Sequence, residues 1–130
     1  MVEINNQTDF DLPVSELKNL AENILTERGS NQSLSVAFLP AREIASFNER
    51  YRNKTGATDV LSFKVEDPVL GEILICPEIV LSQAERFDLS FDREIRRVLI
   101  HGILHLLGYD HKKEEEKKKM RKMEEDYLSC

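Results

Sequence analysis

From residue 98 to residue 107 every side chain is aliphatic except Gly102 and two histidines, His101 and His105. That composition belongs to a helix covered on all sides rather than to an amphipathic surface helix, so the expectation is a central helix around which the rest of the chain packs. One helical turn separates His101 from His105, which puts both imidazoles on the same face at neighbouring heights. An imidazole buried without a polar partner costs about 2 kcal/mol or more, and a shared metal ion would supply that partner. Gly108 stands where helices commonly end in a left-handed residue, and the chain leaving it can swing His111 back toward the pair. These three are all the histidines in the chain.

Three neutral imidazoles on a borderline-soft divalent cation, with a fourth position left to water, make a catalytic zinc arrangement rather than a closed structural one. The expected metal ligands are therefore His101, His105 and His111, and the expected cofactor is one Zn2+ per chain, with other divalent metals as alternatives. The spacing H-x3-H-x2-G-x2-H also matches the ligand spacing of metzincin proteases. Those enzymes carry a glutamate directly after the first histidine, whereas this chain has Gly102, which cannot move a proton. Zinc lowers the pKa of its water to about 7, so a nucleophile is available without that base. The competing view makes the histidines core residues bonded to backbone carbonyls.

The run HGILHLLGYDH (residues 101–111) resembles the signature of the YbeY family, bacterial metal-dependent endoribonucleases that act in ribosomal RNA maturation, whose pattern is close to HGxLHLxGYDH. Upstream, NERYRNKTGATDVLSF (48–63) and GEILICPE (71–78) resemble two further blocks of that family in the same order, so the resemblance covers most of the chain. It implies a small mixed sheet surrounded by helices. It also implies action on single-stranded RNA near ribosomal RNA ends, such as the 3′ end of small-subunit RNA, a part in ribosome quality control, and the small ribosomal subunit as partner. Arg52 coincides with the arginine of the family's YR pair, which the resemblance implies is needed for activity. Glu72 stands where the family usually has aspartate, which leaves its role open.

With 130 residues and 41% hydrophobic content the chain fits a single domain, 1–130, around one core. No apolar run approaches the ~20 residues needed to span a bilayer. The first residues lack the basic and apolar regions of a signal peptide, so a cytosolic location is expected. Cys76 and Cys130 are expected to stay reduced, Cys76 as a small buried hydrophobe. A net charge of −6 argues against indiscriminate nucleic-acid binding, because phosphate affinity comes from Lys and Arg. The exception is residues 42–64, where Arg42, Arg50, Arg52, Lys54 and Lys64 outweigh Glu43, Glu49 and Asp59. That stretch would form a local phosphate-binding groove on an otherwise acidic surface, suited to single-stranded RNA.

Hydrophobic periodicity divides the chain into four strands and five helices. Val2 and Ile4 mark a first strand. Leu17, Leu20, Ala21, Ile24 and Leu25 stripe a helix that Gly29 stops, and Leu34, Val36 and Phe38 alternate as a second strand. After Pro40 comes a helix with Ile44, Phe47 and Tyr51 as its buried stripe, delivering Arg52 at its end. A strand from Asp59 to about Val65, a turn around Asp67, Pro68 and Gly71, and a strand from Glu72 to Cys76 make a hairpin. Pro77 opens a helix reaching about Phe87, Ser90 or Asp92 caps the histidine helix, and Lys112 onward forms a charged helix with Met120, Met123 and Tyr127 on one side. The expected fold class is α/β: one small mixed four-stranded sheet with surrounding helices, one sheet face covering a central metal-binding helix.

For a phosphodiester, attack builds charge on the non-bridging oxygens, and a guanidinium there can stabilise it with two parallel hydrogen bonds. Arg52 is the candidate, its alternative being a helix-end arginine interacting with the macrodipole. Asp110 either orients a ligand imidazole, shuttles a proton, or is a turn aspartate bonding its own backbone. Tyr109 either stacks on a base or braces the turn. Thr58 and Asp59 are expected to be structural, with the peptide-binding edge of metzincins as the analogy against that. Three functions compete: a metal-dependent endoribonuclease, a small metalloprotease of metzincin type, and a non-catalytic ribosome-assembly module with a structural metal. The missing glutamate and the helical spacing of Met120 and Met123 weigh against the protease.

Overall fold

The alternating and amphipathic segments fold in the expected order. A computed structural model describes residues 1–53, 56–109 and 112–129. In it β1 (Val2–Asn6), α1 (Val14–Glu27), β2 (Ser33–Phe38) and α2 (Ala41–Arg52) are followed by β3 (Val60–Lys64) and β4 (Val69–Ile75). The helices α3 (Pro77–Arg86), α4 (Phe91–Leu106) and α5 (Glu114–Leu128) complete the described chain. The sheet order is β1-β2-β4-β3, with β1, β2 and β4 parallel and β3 antiparallel to β4. Parallel neighbours need a crossover, which α1 supplies between β1 and β2. The hairpin inserts β4 beside β2 and leaves β3 as an edge.

The two sheet faces are unequal. On the larger, Leu34, Val36, Phe38, Ile73 and Ile75 join Leu17 and Ile24 of α1, Ile95, Leu99 and Ile103 of α4, and Met120 of α5 in one buried cluster. Each such side chain contributes about 1.5–3 kcal/mol by leaving water. On the other face Leu61 and Leu74 pack with Leu39, Ile44 and Cys76 in a smaller cluster. The expected α/β class, mixed four-stranded sheet and surrounding helices are therefore the observed architecture.

Three expectations need correction, each for a steric or positional reason. Gly71 lies inside β4, which begins at Val69, and not in a turn. A Cβ on Gly71 would stand 2.4 Å from the Phe63 carbonyl oxygen and 2.9 Å from the Leu106 side chain, so glycine is what lets α4 settle on the hairpin. Tyr51 is 59% exposed, because its turn of α2 runs on to Phe63 of the edge strand, beyond which no further strand lies among the described residues; Asn48 is buried in the stripe instead. Finally, α4 is not covered on all sides. Its aliphatic residues are buried, but His105 is exposed and His101 partly so, since the histidine stripe faces outward past β3.

Candidate active site

Helix α4 is set at both ends by local chemistry. Ser90 is its N-cap, its Oγ accepting from the Arg93 backbone N–H at 3.3 Å, and Asp92 and Glu94 place negative charge in the first turn. At the other end Gly108 takes φ +105°, and the Tyr109 N–H donates to the Leu104 carbonyl at 3.1 Å, which turns the chain out of the helix. The close seat of α4 on the sheet comes from Gly102. A Cβ there would meet Ile73 at 3.1 Å and the Ser62 hydroxyl at 3.3 Å. The position that would hold a metzincin glutamate is thus pressed against the sheet.

His101 and His105 line one cleft of about 420 Å³ with Tyr51 and Arg52 of α2 and Val60, Ser62 and Phe63 of β3. The structure therefore brings together Arg52 and two of the three expected ligands. His111 and Asp110 lie outside the described residues, as does Cys130. Among the described residues no group of three His, Cys, Asp or Glu side chains is arranged to hold a metal. Arg52 ends α2 immediately before Asn53, whose left-handed φ of 52° closes the helix and turns the chain toward β3. The arginine is exposed, and among the described residues no carboxylate forms an ion pair with it.

One site residue carried no motif. Glu124 of α5 is 4% exposed and places Oε2 2.7 Å from His101 Nδ1. A carboxylate accepts, so this contact calls for the proton on Nδ1, and Nε2 would then be the nitrogen offered to a metal. That donor chemistry fits a borderline-soft divalent ion held by the described pair of imidazoles. The other carboxylate oxygen of Glu124 lies 3.6 Å from Arg97, which in turn donates to buried Glu94 at 3.1 Å. Burial works to lower the Arg97 pKa, but the hydrogen bond it donates to Glu94 and the charges of Glu94, Glu124 and Asp59 outweigh it and raise the pKa above its ordinary value. The sequence did hold a signal for Glu124: an acid on the same buried stripe as Met120, Met123 and Tyr127.

The other candidates separate cleanly. Tyr109 braces the turn: its hydroxyl accepts from Arg28 at 3.3 Å, and the Arg28 guanidinium lies 5.5 Å over its ring. Asp59 ties the start of β3 to the end of β4, its carbonyl accepting from the Cys76 N–H at 2.9 Å, while Thr58 donates to its carboxylate at 3.3 Å. Glu72 is exposed on β4, paired with Ser35 and Phe63, and does not line the cleft. Cys76 is buried in the smaller cluster and does not line the cleft of the histidines. Met120 and Met123 are core residues.

Comparison with known proteins agrees with the geometry. The family model described as Endoribonuclease YbeY matches residues 3–130. The chain is 36% identical to the Endoribonuclease YbeY of Legionella pneumophila (strain Corby), covering 98% of this chain and 87% of that one. It is 39% identical to the Endoribonuclease YbeY of Carboxydothermus hydrogenoformans, covering 100% and 96%. The solution structure of TM1509 from Thermotoga maritima superposes with a TM-score of 0.77 at 34% identity, over 98% of this chain and 87% of that one. A histidine pair and an arginine facing one cleft, within a fold and sequence matched along nearly the whole chain, lead to one conclusion: the chain belongs to the endoribonuclease YbeY family.

Proposed function

We propose that this protein is an endoribonuclease that hydrolyses phosphodiester bonds of single-stranded RNA with a divalent metal, zinc foremost, held by His101, His105 and His111. The observation that carries the proposal is the shared cleft of Arg52, His101 and His105. Membership of a family whose matched relatives are named endoribonucleases supports it. Such an ion, when bound, acidifies its water to a pKa of about 7 and so supplies the nucleophile. The chain's own residues do the rest. Glu124 holds the His101 ring in one tautomer and orientation. Arg52 presents a planar fork of donors to the non-bridging oxygens, where charge grows as the phosphodiester is attacked.

The protease alternative loses support at Gly102, where the glutamate that would protonate a leaving amine is absent and a side chain would press on Ile73 and Ser62. A purely structural metal is disfavoured by the exposure of His105 within an open cleft. We further propose that the RNA is ribosomal, the 3′ end of small-subunit RNA being the expected target and the small subunit the partner. Ribosome quality control in the cytosol would be the setting. No helix of the described residues is long and apolar enough to cross a membrane.

The deciding experiment combines metal analysis with parallel cleavage of single-stranded RNA and an unstructured peptide, with and without chelator. About one divalent ion per chain and chelator-sensitive RNA cleavage that weakens with salt are expected. Chelator-sensitive peptide cleavage with none on RNA at low salt would replace the nuclease by the protease.

A further inference from the structure

Tyr51 immediately precedes Arg52 on the last turn of α2, lines the cleft with the two histidines, and is 59% exposed. The ring is nevertheless braced. Phe63 meets it edge-on, with centroids 5.9 Å apart and planes at 72°, and Phe47 stacks at 5.8 Å and 22°. Phe47 and Phe63 themselves pack against the smaller core cluster. A large aromatic surface already fixed by its neighbours loses little conformational freedom when a flat ligand lands on it. The Arg50 guanidinium lies 6.0 Å over the same ring, an exposed cation–π contact that a stacked base would displace.

We propose that Tyr51 is the platform on which one unpaired nucleobase of the substrate stacks while the adjoining phosphate lies on Arg52. The proposal rests on the RNA assignment above and deepens it. Consecutive helical residues diverge by about 100°, so Tyr51 and Arg52, which line the same cleft, can contact two different parts of one nucleotide. Charge argues the same way. On a chain of net charge −6 only residues 42–64 are clearly basic, so few phosphates can be neutralised and stacking must carry more of the affinity. The other aromatic candidates are placed differently. Tyr109 is hydrogen-bonded to Arg28, and exposed Phe87 lies under Arg86 in a second groove, which shares His101 with the cleft and whose Arg93 and Arg97 are committed to Glu125 and Glu94. Because a duplex keeps its bases stacked within itself, a platform of this kind also makes the cleft selective for single strands without reading sequence.

The chain has no tryptophan, so Tyr51→Trp introduces a fluorophore that can be excited alone. With the metal-loaded full chain, single-stranded RNA should change its emission saturably, whereas duplex RNA and an oligonucleotide lacking the base at the responsive position should not. Tyr51→Leu keeps an apolar contact with Phe63 but has no π face, and should raise KM for single-stranded RNA about tenfold with little change in kcat. Phe87→Trp should not respond. If Tyr51→Trp cleaves RNA with unchanged emission, or Tyr51→Leu keeps the wild-type KM, the platform is wrong and the nuclease assignment stands. If the wild-type protein neither binds nor cleaves single-stranded RNA, the nuclease assignment falls and takes the platform with it.

Discussion

The Glu124 carboxylate and the His101 imidazole, 23 residues apart in the chain, meet at 2.7 Å, and the carboxylate end of that contact is sealed from solvent. Removing it should be felt first in metal retention. Glu124→Ala is expected to weaken metal affinity about 10–100-fold, the usual effect of deleting a carboxylate that orients a ligand histidine. Glu124→Gln keeps an acceptor and should fall between. Competition with a chromophoric chelator gives the values, with His101→Ala and His105→Ala as the benchmarks of lost ligation. An affinity unchanged in Glu124→Ala would assign the carboxylate to Arg97 alone.

Arg52→Ala should bind metal and melt like the wild type, since the side chain is exposed and ends its helix. RNA turnover should nevertheless fall about 10²–10³-fold, the usual loss when a charge partner of the transition state is deleted. Arg52→Lys should rescue poorly because a point charge lacks the planar fork. Single-turnover kinetics at saturating RNA separate this from a binding defect, and full activity in Arg52→Ala would make the arginine structural.

Gly71→Ala tests how α4 is seated. With the Phe63 carbonyl oxygen 2.4 Å from the new methyl carbon, the backbone itself must move, and a loss of about 1–3 kcal/mol in urea unfolding is expected. Gly102→Ala meets side-chain rather than backbone atoms, none nearer than 3.1 Å, and should cost less. A wild-type midpoint for Gly71→Ala would show that the hairpin and helix can part without cost.

Burial pushes the Cys76 thiol above its ordinary value of 9.0, outweighing the backbone hydrogen bonds that pull the other way. Between the unfolded value and the raised folded one, the unfolded chain holds fewer protons. Stability should therefore decline as pH rises above about 9, and Cys76 contributes no slope below that. In a Cys130→Ser background, Cys76→Ala should flatten the decline in denaturation midpoints between neutral pH and pH 10. Alkylation of the folded protein near neutrality should be slow; rapid labelling would contradict the burial.

What could be read in advance was whatever depends on near neighbours in the chain. The alternation of Leu34, Val36 and Phe38, the histidine spacing, and the Met120, Met123 and Tyr127 stripe are local periodicities, and they appear as β2, α4 and the inner face of α5. Position in the tertiary arrangement was not legible. Tyr51 has the spacing of a buried residue, but burial depends on what lies opposite, and among the described residues there is no further strand beyond Phe63 of the edge strand. Gly71 reads as a turn residue until Leu106 is known to lie against it. Glu124 shares the stripe of Met120, Met123 and Tyr127, but that spacing does not say that His101 is what it meets until α5 folds back on α4.

The placement of α5 also gives the site a history in time. His101 is synthesised 23 residues before Glu124, and Tyr127 closes back on Glu27 across 100 residues and on Arg28 across 99. At about 5–20 residues per second, the histidine helix leaves the polymerising centre a second or more before the carboxylate that orients it exists. A nascent chain stopped after α4 would therefore carry both imidazoles with no Glu124 to set the proton on His101. The orienting contact comes late, so a half-made copy on its own ribosome holds every residue that lines the cleft but not the carboxylate that sets the His101 ring.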